Sequence, residues 1–241
     1  AGQIDAGGLR SMMTGGINTT APLGIMGGAF DPVHSGHLRC ALEIQEAAGL
    51  GEVRLIPSAN PPHRPPHFAP PALRVRMLEA AIAEYPAVLV DQRELQRAGT
   101  SWTVDTLGAL RAEYPERSHV LLLGMDAFLG LPDWRDWEQL PELAHIVVAR
   151  RPGSELTPQA PLAGLLNERL TNDPADLHSA PAGRVLVHDV TQLEISSSAI
   201  RGFLAAGQPI DFLVPRVVRD IITETNCYAS TLPKERSTHA Q

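Results

Sequence analysis

The sequence predicts an α/β fold: a doubly wound, mostly parallel sheet with helices on both faces and a small C-terminal helical part. Three observations carry the prediction. Short apolar runs alternate with stretches of helical period through the middle of the chain. With 241 residues, 44% apolar and 20% charged, the chain is long and apolar enough to bury a large core. Aromatic residues are only 5%, which argues against an aromatic-rich all-β module.

In order along the chain, residues 1–20 are rich in Gly, Thr and Met, have no period, and read as a flexible leader. They lack the basic start and long apolar stretch of a secretory signal. The apolar runs 23–28, 53–57, 87–90, 120–124, 145–149 and 184–188 read as strands. A helix over 38–48 follows the first strand and stops at Gly49. Leu73, Met77, Ala80 and Ala81 mark a second helix, and Val104, Leu107, Leu110 and Tyr114 a third. Ala199, Ile200, Phe203 and Leu204 form another stripe. A last one runs through Val214, Val217, Val218, Ile221 and Ile222, with Pro215 near its first turn. Residues 58–71 hold six prolines, so they form neither a helix interior nor a central strand. They read as a stiff arm beside the ligand site. Residues 229–241 read as a flexible tail.

Composition narrows the function. The net charge of −7 argues against a nucleic-acid partner. No apolar run is long enough to span a membrane, so no membrane partner is expected. The two cysteines, Cys40 and Cys227, have no metal-ligand or disulfide spacing. The simplest compartment is a reducing one, the cytoplasm.

The strongest motif is GGAFDPVHSGH, residues 27–37, which joins the first strand to its helix. Gly27 and Gly28 let a ligand approach the backbone. His34 and His37, three apart at the helix start, face one side and sit beside unpaired N–H groups. Such a set suits a polyphosphate. A zinc site is the competing reading of two histidines at that spacing. No third ligand stands nearby, so phosphate is favoured and no metal residue is assigned. The G-x-G-x-x-G dinucleotide spacing is absent.

Near the C-terminus, Ile195, Ser196, Ser197, Ser198 and Arg201 open the next-to-last helix, with Ser196 or a neighbour as its cap. Their hydroxyls, free N–H groups and guanidinium would form a second phosphate-grade site.

GGAFDPVHSGH resembles the signature of the nucleotidyltransferases that carry the (H/T)-x-G-H motif. More narrowly, it is similar to that of bacterial nicotinate-nucleotide adenylyltransferases. The resemblance covers residues 21–228 and implies a single Rossmann-like nucleotidyltransferase domain. ISSSAIR at 195–201 matches the family segment that embraces the ATP phosphates, with Ser198 where many members have Thr. PPHR at 61–64 resembles the segment near the mononucleotide phosphate. Ser101-Trp102-Thr103 resembles S-Y-T, which holds the nicotinate carboxylate, with Trp in place of Tyr. Gly124 and Asp126 match the adenosine-contacting segment. Trp134 matches the aromatic that stacks on the nicotinate ring, while Trp137 reads as core. Arg150 begins a segment like C-R-R-P, with a phosphate or ribose contact open.

The resemblance therefore implies transfer of the adenylyl group of ATP to nicotinate mononucleotide, giving deamido-NAD and pyrophosphate. His37 would act on the α-phosphate and His34 on the phosphate chain. Arg201, with Ser197 and Ser198, would act on the β- and γ-phosphates. Gly27, Gly28, Phe30, Gly124, Asp126 and Ile195 would complete the ATP site. Asn60, His63, Arg64, Ser101, Trp102, Thr103 and Trp134 would bind the mononucleotide. Mg²⁺ would be carried by ATP, and the protein would be a monomer or homodimer. Three readings compete: a pantetheine-phosphate adenylyltransferase, a preference for nicotinamide mononucleotide, and a non-catalytic nucleotide-binding protein.

Overall fold

Seven parallel strands form one sheet in the computed structural model, in the order β3-β2-β1-β4-β5-β7-β6. They are β1 (Leu23–Gly28), β2 (Glu52–Pro57), β3 (Val88–Val90), β4 (His119–Gly124), β5 (His145–Arg150), β6 (Leu170–Thr171) and β7 (Val185–Asp189). The structure describes residues 18–59, 67–150, 157, 160–191 and 193–229. The expected leader up to residue 17, the arm residues Asn60, His63 and Arg64, the continuation of the Arg150 segment, and the tail from 230 lie outside them.

Among the described residues every strand pairing is parallel. Parallel strands need crossover connections, which places helices on both faces. The side chains obey this. On β4, Val120 and Leu122 enter one core, while Leu121 and Leu123 enter the other. On β5, Val147 and Ala149 oppose Ile146 and Val148 in the same way, the period-two alternation of a strand buried on both sides. The first core is covered by α1 (Ser35–Ala47) and α2 (Pro71–Ile82), and by the C-terminal pair α8 (Ser197–Ala205) and α9 (Arg216–Thr225). The second is covered by α4 (Thr103–Glu113), α5 (Met125–Leu129), α6 (Leu140–Leu143) and α7 (Ala160–Arg169). A short α3 (Arg93–Gln96) follows β3.

The sheet order reverses at β1, which pairs β2 on one side and β4 on the other. A crevice opens beyond the carboxyl ends of such strands. β1 itself must lie close to its neighbours: a Cβ on Gly24 would meet Leu50 at 2.8 Å and Val53 at 2.9 Å. At Gly27 and Gly124, on the crevice side, a Cβ would meet nothing within 4 Å.

Several expectations shift. The first helix begins at Ser35, three residues earlier than its apolar period indicates, because His34 itself is the N-cap. The N-cap of α4 is Trp102, with no side-chain capping bond. Asp126 sits inside the first turn of α5, behind the N-cap Gly124. β6 and α7 were not anticipated.

Candidate active site

A cleft of about 1010 Å³ lies beyond the ends of β1, β4 and β5. Its floor is the turn between β1 and α1. There His34 and His37 cap the helix reciprocally: the His37 N–H donates to His34 Nδ1 at 3.4 Å, and the His34 N–H to His37 Nδ1 at 3.3 Å. A capping box normally uses Ser or Thr with Glu; here two imidazoles do the same work. Because each Nδ1 accepts, each neutral ring must carry its proton on Nε2. The rings stack with centroids 3.6 Å apart, and the Phe30 ring packs edge-on to His37 at 5.0 Å. Phe30 is buried and holds a left-handed backbone, φ 47°, a conformation kept only where the surroundings enforce it. Its ring thus packs against the His37 imidazole.

Burial lowers the His34 pKa to about 4. The His37 pKa falls well below its ordinary value, first by burial and then by the neighbouring His34. Both rings are therefore neutral Nε2–H donors near neutral pH.

Arg201 reaches the same turn from α8. Its Nη1 donates to the Asp31 carbonyl at 2.6 Å and its Nη2 to Ser198 Oγ at 3.1 Å. Its guanidinium lies 4.4 Å from the Phe68 ring centroid, a cation–π distance. Ser197 Oγ donates to the Pro32 carbonyl, and Ser196 caps α8 by accepting from Ala199 N–H. The serines thus bind the signature turn and the helix start, and leave the Ser197 and Ser198 N–H groups of the first turn of α8 at the cleft.

The buried Asp31 carboxylate ties these parts together. It accepts from Phe68 N–H at 2.7 Å, Ala69 N–H at 3.1 Å and the Tyr228 hydroxyl at 2.8 Å. Arg74, fully buried, donates to the Ala29 carbonyl at 2.7 Å and the Ser58 carbonyl at 2.8 Å. Ser58 N–H in turn donates to the Gly28 carbonyl. Both described ends of the proline arm are therefore pinned to the end of β1. Arg74 was not singled out in the sequence; a charged residue in a strongly apolar helical stripe was its signal.

A second hollow of about 240 Å³ adjoins the first. Both are lined by Gly27, Gly28, Ala29 and Trp134. Its walls include Ser101, Trp102, Thr103 and Arg135, with Ile25, Ile56, Leu107, Leu121 and Leu123 behind them. Ser101 Oγ accepts from Ala59 N–H at 3.3 Å, which joins α4 to the start of the arm. Glu94 accepts from Thr106 Oγ1 at 2.9 Å, and burial raises its pKa.

The structure brings Gly27, Gly28, Phe30, His34, His37, Gly124, Asp126, Ile195, Ser197, Ser198 and Arg201 to the large cleft. It brings Ser101, Trp102, Thr103 and Trp134 to the small one. Trp137 packs half-buried against the second core. Two basic groups face elsewhere: Arg39 pairs with Glu43, and Arg150 with Asp189 across β5 and β7. Among the described residues no group of three His, Cys, Asp or Glu side chains forms a metal cluster, and no helix is long and apolar enough to cross a membrane. Cys40 and Cys227 are free thiols.

Comparison with known proteins bears on the family and the fold. The cytidylyltransferase-like family model matches residues 25–203. A relative from Halorhodospira halophila is 46% identical over 86% of this chain and 94% of its own length. One from Methylococcus capsulatus is 44% identical over 86% of this chain and 99% of its own. Both carry the name "Probable nicotinate-nucleotide adenylyltransferase". Among solved structures, the Plasmodium falciparum nicotinic acid mononucleotide adenylyltransferase complexed with NaAD superposes with a TM-score of 0.66. It is 18% identical and aligns over 87% of this chain and 98% of that one, a likeness of fold. With an (H/T)-x-G-H turn at the switch point of a parallel sheet and relatives matched along nearly their whole length, the chain belongs to the nicotinate-nucleotide adenylyltransferase family of nucleotidyltransferases.

Proposed function

We propose that the large cleft binds ATP, that the small one binds the pyridine end of nicotinate mononucleotide, and that the shared wall at Gly27, Gly28 and Trp134 is where the two react. The protein transfers an adenylyl group: a phosphate oxygen of nicotinate mononucleotide bonds to the α-phosphorus of ATP, the bond to the β-phosphate bridging oxygen breaks, and pyrophosphate leaves. The attacking phosphate is already anionic, so the protein needs no nucleophile of its own. Its task is in-line alignment of two anions and stabilisation of the charge that develops.

The observation that carries this reading is the reciprocal capping of His34 and His37. It fixes two Nε2–H donors on rings that line the same cleft as Arg201. Fixed donors cost no reorganisation as charge builds on the α-phosphate. His37 would act there, His34 along the phosphate chain, and Arg201 with the α8 start on the leaving pyrophosphate. Gly27 and Gly124 give the nucleotide room at the backbone. Trp134 and Trp102 suit a flat pyridine ring, and Asn60, His63 and Arg64 on the arm would meet the mononucleotide phosphate.

The donors lining the cleft are imidazole N–H, hydroxyl, amide and guanidinium groups, which match phosphate oxygens. Mg²⁺ would arrive on the ATP phosphates and neutralise part of their charge. Free thiols at Cys40 and Cys227 suit a reducing compartment such as the cytoplasm.

Pyrophosphate release from ATP with nicotinate mononucleotide, nicotinamide mononucleotide and pantetheine phosphate tests the reading. Release with nicotinate mononucleotide well above the others is expected. Its absence with both pyridine nucleotides would overturn the assignment.

A further inference from the structure

The small hollow carries an unequal distribution of charge. Among the described residues lining it, Arg135 is the only cation and Glu94 the only anion. Glu94 is buried, accepts from Thr106 Oγ1, and is pushed by burial toward its neutral form. The Thr106 hydroxyl also accepts from Arg97 Nη2 at 3.1 Å, so a further positive charge backs that wall. Arg135 sits at the rim with its guanidinium 5.5 Å from the Trp102 ring centroid, within cation–π range. That contact holds a long, half-exposed side chain against the Trp102 wall of the hollow.

A nicotinate ring brings a carboxylate into this hollow, whereas a nicotinamide ring brings a neutral amide of nearly the same shape. Apolar walls and stacking cannot separate the two; a fixed charge can. We propose that Arg135, held over Trp102, is a specificity-determining residue that favours a ring carboxylate over a ring carboxamide. Asp136 opposes it. Its Oδ2 lies 3.2 Å from Arg135 Nε, with both side chains about half exposed, so it neutralises part of the charge and the remainder is screened by salt.

The inference rests on the proposed function and is tested separately from it. kcat/KM is measured for nicotinate and nicotinamide mononucleotide at saturating ATP, in wild type, Arg135→Gln and Asp136→Asn. Asn suits the left-handed backbone at 136. Arg135→Gln should lower the acid-to-amide ratio by about tenfold, or ~1.4 kcal/mol, mainly through KM for the acid. Asp136→Asn should raise the ratio two- to threefold, on the order of half a kcal/mol. Raising NaCl should shrink the wild-type ratio and leave that of Arg135→Gln nearly flat. An Arg135→Gln enzyme with an unchanged ratio, or with equal losses on both mononucleotides, overturns this inference and leaves the proposed reaction standing. If wild type uses neither mononucleotide, the proposed function itself fails.

Discussion

Replacing His37 by alanine removes one donor from the cleft and one acceptor from the helix cap. The catalytic share follows from the tautomer. His37 Nδ1 is committed to the His34 N–H, so Nε2–H is the donor it would offer the α-phosphate under the proposed reading. Loss of one such preorganised donor costs about 10²–10³ in kcat, or ~2.7–4 kcal/mol. The structural share is smaller. The substitution breaks one half of the capping box and the 3.6 Å stack on His34, together about 1–2 kcal/mol, and α1 remains anchored by Ala41 and Ile44 in the core. Steady-state pyrophosphate release should therefore show kcat reduced by two to three orders of magnitude, KM for ATP raised only severalfold, and a folded protein by thermal melt. Turnover within threefold of wild type in a folded His37→Ala variant would refute the assignment of His37 to the transition state.

Three further outcomes are expected. Trp134→Ala, at the wall shared by both hollows, should raise KM for nicotinate mononucleotide about tenfold, far more than KM for ATP; equal effects on the two would contradict the stacking role. Arg74→Leu strands the Ala29 and Ser58 carbonyls, so stability should fall by about 3 kcal/mol and Tm by roughly 6–12 °C; a change under 2 °C would show that these bonds do not hold the arm to β1. His34, His37, His119 and His145 all have pKa values lowered by burial, His34 to about 4 and His119 to about 3. The unfolded chain binds their protons first, near pH 6.5, so their destabilising effect is absent above that pH and grows as pH falls toward 4. His34 alone contributes about 3 kcal/mol across that interval, and a Tm that stays flat from pH 7 to pH 5 would contradict this.

Much of this was legible because function and fold share one stretch of sequence. GGAFDPVHSGH announces a bare strand end, a turn and a helix start, and all three stand where the strand order switches. The central strands were legible because both their faces are buried and they read as unbroken apolar runs. β6 was not, because it is two residues long and its Leu170 is exposed. The early start of α1 escaped the apolar period because an imidazole pair, not hydrophobic spacing, begins that helix. The Ser101 hydroxyl accepts from Ala59 N–H, 42 positions away. Such long-range bonds leave no periodic trace, which is also why Asp31 emerged as the junction of turn, arm and C-terminus only in three dimensions.

In the proposed reaction two neutral imidazoles and Arg201 hold the triphosphate of ATP while the second substrate attacks along the line of the leaving group. A crystal structure with a non-hydrolysable ATP analogue tests it most directly. An α-phosphate oxygen is expected at hydrogen-bonding distance from His37 Nε2, about 2.7–3.1 Å, with the terminal phosphates at Arg201 and the start of α8. A triphosphate bound away from both groups, or an adenosine seated in the hollow between Trp102 and Trp134, would contradict it.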